Sequence, residues 1–168
     1  MSDVANAHDA AASAAAALAR RGAIVVPGNP EAVAGAEARL RTRLPEALRE
    51  FLATCANGTL SVGAAQALYS AEELTSLASL TGLSGNVATG TEDIGADEIV
   101  VLTEDDEAGG LWCLLPDGRV GYVCLPDPTF TPCFGDATAF FIGLAHAGGS
   151  ELHLIGDRRV AADHLPLG

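Results

Sequence analysis

The order of apolar and polar positions divides the 168-residue chain into a helical first part, a strand-rich middle and a closing helix. Ala10 to Ala19 is mostly alanine, a strong helix former of weak hydrophobicity. Arg20 and Arg21 complement the negative end of its dipole, and Gly22 is placed to stop it. Ala23 to Val26 is a short apolar run closed by Pro27-Gly28. Asn29 before Pro30 then reads as an N-cap followed by a first helical residue whose missing N–H costs nothing. Val33, Ala36, Leu40 and Leu44 recur at near-helical spacing. Pro45 interrupts that stripe, which resumes with Leu48, Phe51, Leu52 and Cys55 and ends at Asn57-Gly58. The pattern predicts two short helices meeting at a proline corner, with their apolar faces on one core.

Residues 59–69 are poor in charge and are expected to hold one or two short strands. Ser70 with Glu73 fits a capping box opening a short helix that bears Leu74, Leu77 and Ala78. Thr81 to Gly95, rich in Gly, Thr, Ser and Asn, reads as a loop and as the best internal linker. From Ile99 the period changes. Ile99 to Thr103, Leu111 to Leu115 and Val120 to Leu125 are strand candidates. An acidic turn with Gly109-Gly110 separates the first two, and the hairpin signal Pro116-Asp117-Gly118-Arg119 separates the last two. Pro126, Pro128 and Pro132 mark an extended or looping stretch. Asp136 caps a final helix carrying Phe140, Phe141, Leu144 and Ala145, closed by Gly148-Gly149; Leu152, Leu154 and Val160 suggest a terminal strand or tail. The expected class is α+β: an antiparallel meander flanked by N-terminal helices and a C-terminal helix. Residues 1–28 are expected to form an alanine-rich helix and connector, and residues 29–168 a single domain.

Charge narrows the choice of partners. The chain carries nine basic and twenty-two acidic side chains, a formal charge of −13, and every basic residue is arginine. Phosphate binding needs a basic face, so nucleic acid and anionic membrane are not expected partners. No stretch approaches the roughly 20 apolar residues that span a bilayer, and the N-terminus lacks the basic start of a signal peptide; a cytoplasmic protein is expected. The charge is polarised. Six of the nine arginines precede Phe51, whereas Glu92, Asp93, Asp97, Glu98, Glu104, Asp105, Asp106 and Glu107 crowd sixteen positions without a basic residue. Such a run either steers a basic partner or is a solvated face that keeps the protein soluble.

Chemistry of other kinds finds little footing. Cys55, Cys113, Cys124 and Cys133 form no CxxC pair, and His8, His146, His153 and His164 stand at no ligand spacing from them. No metal site or cofactor is therefore expected, and reduced, mostly buried cysteines are. The acidic run lacks the alternation and central glycine of a calcium loop. A nucleophile elbow, a P-loop and a dinucleotide fingerprint are all missing. Gly109-Gly110 precedes a strand rather than a helix, which suits a turn more than a phosphate cradle.

In chain order, the motifs resemble those of the SUKH superfamily, named partly for fungal Smi- and Knr-type regulators. They are Glu37-Ala38-Arg39-Leu40, Leu44-Pro45, Phe51-Leu52, Asn57-Gly58, Val100-Val101-Leu102, Gly109-Gly110 with Leu111-Trp112-Cys113-Leu114, and Ala139 to Leu144. The similarity covers about residues 29–147. Leu48 stands where the family usually has tyrosine, the segment 78–97 has no counterpart, and the alanine-rich helix lies outside the pattern. The resemblance implies an α+β fold and a non-enzymatic role: bacterial members look like immunity proteins that bind a toxin, and eukaryotic members are regulatory. It implies a cognate toxin or other basic protein as partner. The acidic run would contact it together with Trp112, and exposed residues near Trp112, Tyr122 or Phe130 would serve as apolar anchors. The alternatives are a regulatory adaptor of the same fold and a small cysteine or carboxylate enzyme.

Overall fold

A computed structural model describes residues 2–20, 29–54, 60–61, 67–102, 110–125 and 128–147. Helix α1 (Ser2–Arg20) is followed by α2 (Pro30–Leu40) and α3 (Glu46–Thr54), which meet at the proline corner. Asn29 caps α2 as its sequence implies, its side chain accepting the Glu31 N–H at 2.9 Å. Glu37 ties the corner together: its Oε2 accepts the Leu44 N–H at 2.7 Å and lies 3.4 Å from Arg49 Nε. The glutamate that precedes the Leu44-Pro45 step thus takes up a backbone donor left open where the chain turns.

Strands β1 (Leu60–Ser61) and β2 (Ala67–Leu68) form a small antiparallel pair. The other seven strands are β3 (Thr75–Ser76), β4 (Asn86–Ala88), β5 (Asp93–Gly95), β6 (Val100–Val101), β7 (Gly110–Leu114), β8 (Val120–Cys124) and β9 (Thr129–Phe134). They make one sheet in the order β3-β6-β7-β8-β9-β4-β5. Helices α4 (Leu77–Thr81) and α5 (Ala137–Ala147) complete the fold, with Asp136 accepting the Ala139 N–H at 2.8 Å at the start of α5. The β6-β7-β8 meander matches its prediction, but the sheet is not purely antiparallel, because β4 runs parallel to β9 at Ala88 and Thr129.

The connectivity forces the sheet to curl. Five inter-strand spacings separate β5 from β6, about 24 Å in a flat sheet, yet only the 3-10 turn Ala96–Glu98 and Ile99 join them. Gly95 to Val100 can reach at most about 18 Å fully extended, so the β5 edge must bend back toward β6. The bend encloses a second core. Val101, Leu111, Cys113, Leu115 and Val123 point into it with Phe130, and Leu77, Val87 and Ile94 close it. Alternate residues of the same strands (Val100, Leu102, Trp112, Leu114, Val120 and Tyr122) face the helices instead, where Trp112 touches Tyr122, Phe134 and Phe140. Burial on both faces is why these strands read as nearly unbroken apolar runs.

Two expectations are corrected here. The predicted helix from Ser70 is a single turn: Ser70 N–H donates to Glu73 Oε1 at 3.0 Å, but the chain is extended again at Thr75, and α4 starts only at Leu77. Leu74 belongs to the helix-side core and Leu77 to the enclosed one, a placement that one continuous helix cannot achieve. Arg39 holds the crossing, its Nη2 lying 3.0 and 2.9 Å from the carbonyls of Ala71 and Leu74. The expected linker at 81–95 contains the β4–β5 hairpin, whose Val87 and Ile94 help to close the second core. Asn57, Gly58, Gly109, the acidic residues 104–107 and the expected terminal strand lie outside the described residues.

Candidate interaction surface

The described residues of the acidic run, Glu92, Asp93, Asp97 and Glu98, are exposed, and Glu92 stands apart from the pair Asp97 and Glu98. At the β4–β5 turn, Thr89 Oγ1 donates to the Glu92 carbonyl at 2.8 Å, which fixes where Glu92 sits. The Glu92 carboxylate meets Arg119 at 3.3 Å, and Arg119 Nε also reaches Asp117 Oδ2 at 2.7 Å. The Arg119 guanidinium lies 5.9 Å from the Phe130 ring centroid, over the side chain that fills the second core. Glu92 is therefore partly neutralised and helps to hold the β7–β8 turn. That turn has the expected form, with Gly118 at φ +97° and the Arg119 N–H on Asp117 Oδ1 at 3.0 Å.

Asp97 and Glu98 lie on the 3-10 turn that joins the bent sheet edge to β6. Their carboxylates and the Asn86 amide oxygen converge over Gly95. A Cβ on Gly95 would lie 2.6 Å from Asp97 Oδ1, 3.4 Å from Glu98 Oε2 and 3.8 Å from Asn86 Oδ1. Glycine at this position lets three acceptors share one spot on the surface. Glu98 also lines a cleft of about 40 Å³ with Thr42, Arg43, Pro45, Pro116 and Gly118. Pro45 of the corner and Glu98 of this pair thus border the same depression. Asp93 stands on the sheet edge, exposed, at the start of β5.

The expectation that Trp112 contacts a partner is corrected by burial. Trp112 is wholly inside, and Tyr122 and Phe130 are buried at 5% and 2% exposure. Trp112 and Tyr122 belong to the helix-side core and Phe130 to the enclosed one, and none offers a side chain to a partner. Leu44, Phe51 and Leu52 are likewise core residues, Phe51 stacking on Phe141 with centroids 4.7 Å apart, while Pro45 is half-buried at the cleft. Gly110 opens β7 opposite Cys124. Asn86, Arg43 and Asp117, which the sequence did not single out as site residues, join the surface through turns that bring distant segments together; only Asp117, within its Pro-Asp-Gly signal, carried a local cue.

Among the described cysteines, Cys113 and Cys133 are buried and Cys124 is exposed, and all three are free thiols. Burial pushes the Cys113 thiol far above the ordinary range, the opposite of what a nucleophile requires. Among the described residues, no three or more His, Cys, Asp or Glu side chains are grouped to hold a metal ion, and no helix is long and apolar enough to cross a membrane. No curated protein and no solved structure matches the chain. A family model does match, over residues 27–142, from the end of the α1–α2 connector into α5. With well over half its length matched, the chain belongs to the SMI1/KNR4 family (SUKH-1).

Proposed function

We propose that this protein is an immunity-type binding protein that neutralises a cognate bacterial toxin by direct protein–protein contact, without catalysis, in the cytoplasm. Membership of the SUKH-1 family carries the reading. The net charge of −13 agrees with a basic partner such as a toxin whose cleft is built for phosphates. The contact we propose centres on Asp97 and Glu98 with Asn86, beside the cleft at Pro45. Asp93 and the sequence run Glu104 to Glu107 extend the field, and Glu92 contributes less because Arg119 answers its charge. With the aromatic side chains buried, such a surface works mainly through electrostatic steering and polar contacts.

The test is co-purification with the product of the neighbouring toxin gene, followed by association kinetics. Asp97→Arg with Glu98→Arg should slow association about tenfold at low salt, with a smaller difference at high salt. The pair Asp105→Arg and Asp106→Arg should act in the same direction. An unchanged on-rate at low salt for both pairs rules out acidic steering; failure to co-purify with or to protect against the neighbouring toxin rules out the immunity reading.

A further inference from the structure

The cleft at Pro45 carries charge of both signs. Arg43 comes to it from the α2–α3 corner and Glu98 from the 3-10 turn, beside the buried Val100 and Leu114. Among the described residues, neither charged side chain makes an ion pair or a hydrogen bond, with the other or elsewhere. Arg41, two residues earlier, is exposed and equally without a side-chain partner among the described residues. The other described arginine side chains are all engaged. Arg39 holds the carbonyls of Ala71 and Leu74, Arg49 lies beside Glu37 and Glu46, and Arg119 reaches Asp117 and Glu92. On a chain of net charge −13, the two unanswered arginines therefore share one short stretch, which ends at the cleft that Glu98 lines.

Their placement is set by the backbone. Arg41 is the C-cap of α2 at φ +55° and ψ +37°, the one positive-φ residue other than glycine among the described residues. Glycine is the usual choice at such a cap, because a Cβ strains the left-handed conformation. Arginine here holds a charged side chain in place at a conformational cost. Just beyond Arg43, Glu37 Oε2 accepts the Leu44 N–H at 2.7 Å and Pro45 fixes its own φ, so Arg43 leaves the corner from a constrained segment. The carboxylates are as firmly based. On one side of Asp97 and Glu98 the Ala96 N–H donates to the Gly85 carbonyl at 2.9 Å; on the other the Ile99 carbonyl accepts the Leu77 N–H at 2.8 Å. Opposite charges are thus presented near one another on tied backbone and do not neutralise each other.

We propose that this cleft is a recognition notch of two signs: Asp97 and Glu98 take a basic side chain of the partner, and Arg41 and Arg43 take a carboxylate beside it. The inference rests on the reading above that the partner is a toxin protein drawn by the acidic field. A net charge of −13 attracts any basic protein and does not tell one from another. Two arginines next to the carboxylates do. A uniformly basic surface meets repulsion at Arg41 and Arg43, whereas a surface with an Asp or Glu set among its Lys and Arg residues is matched. Long-range attraction then comes from the acidic excess, and local choice from the α2–α3 corner.

The test measures binding of the full chain to the product of the neighbouring toxin gene, with rates and affinity at low salt. Arg41→Glu with Arg43→Glu makes the chain still more negative, so attraction by net charge alone would speed association and tighten the complex. A matched carboxylate on the partner requires the opposite outcome: Kd should rise at least about tenfold, through faster dissociation. Unchanged or tighter binding overturns the proposal and leaves the immunity reading standing; no binding by the unsubstituted chain overturns both. Arg41→Gly separates recognition from folding. It should raise Tm by about 2–4 °C by relieving the strained cap, while the complex dissociates about threefold faster. Arg43→Gln should leave Tm unchanged and quicken dissociation by about the same factor. Unchanged dissociation in both of these folded variants overturns the proposal, even where the double reversal fails to fold.

Discussion

The two sides of the sheet are built from the same strands but by different means. On the helix side, aromatic rings interlock: Trp112, Phe134, Phe140, Phe141 and Phe51 form a continuous chain of ring contacts, covered by long helices. On the enclosed side the lining is mostly aliphatic, with Phe130 its one fully buried ring, and the cover is a three-residue-stranded hairpin, one 3-10 turn and the five-residue α4. Helices bring enough buried area to stabilise themselves against the sheet, whereas the short elements are held by the sheet's own bend. The helix side therefore behaves as the scaffold, and the enclosed side as the part whose shape depends on it. The exposed pair Asp97–Glu98 sits on the dependent part.

The sharpest way to break this contrast is on the aromatic side. Phe140→Ala should cost about 3–5 kcal/mol in chemical denaturation, because it empties the place where Trp112, Phe134 and Phe141 meet. Trp112 is the sole tryptophan, so its fluorescence reports the loss directly. Ile94→Ala, which opens the enclosed core from the β4–β5 hairpin, should cost about 2–3 kcal/mol. A cost near zero would show that the hairpin is not part of that core.

Gly121→Ala should cost about 1–3 kcal/mol, since its Cβ would run into the Thr131 carbonyl and the Phe130 ring. Combining it with Phe130→Leu should cost less than the two single changes added, and strict additivity in a double-mutant cycle would break the link between Gly121 and the enclosed core. The smallest effect belongs to Arg119→Ala, about 0.5–1 kcal/mol by thermal unfolding. It removes surface ion pairs to Asp117 and Glu92 and the contact over Phe130.

The legibility of the sequence follows the same division. The helix-side elements carry long-period signals: the Asn29-Pro30 start, the Leu44-Pro45 corner, Asp136 before its phenylalanine-rich helix. All appear in the structure where the pattern puts them. The enclosed side left no such trace. Strands β4 and β5 bury Val87 and Ile94 at their centres, too few apolar positions to set an alternating period among glycine, threonine and asparagine. Ser70 and Glu73 form a real local turn, but Leu74 and Leu77 are claimed by different cores, and only tertiary packing decides between them. For the surface, the sequence carried the acidic run at 92–107 but not how its members are placed in space. Asn86 reaches Asp97 and Glu98 because β4 pairs with β5, and Arg119 reaches Glu92 because two turns face one another. Trp112 looked like an anchor because aromatic side chains serve both cores and interfaces, and its register on β7 decides for the core.

The brevity of the sheet's two outer strands bears on how this protein survives at high concentration. Strand β3 has two residues and β5 has three, and β5 opens with an exposed aspartate. An open edge invites a further strand from a neighbouring molecule when it is long, flat and uncharged. Here one edge is too short to register an incoming chain, and the other is bent inward and carries Asp93. A carboxylate at that position guards against fibril-like growth whatever partner the protein meets, so Asp93 serves solubility apart from any part in recognition.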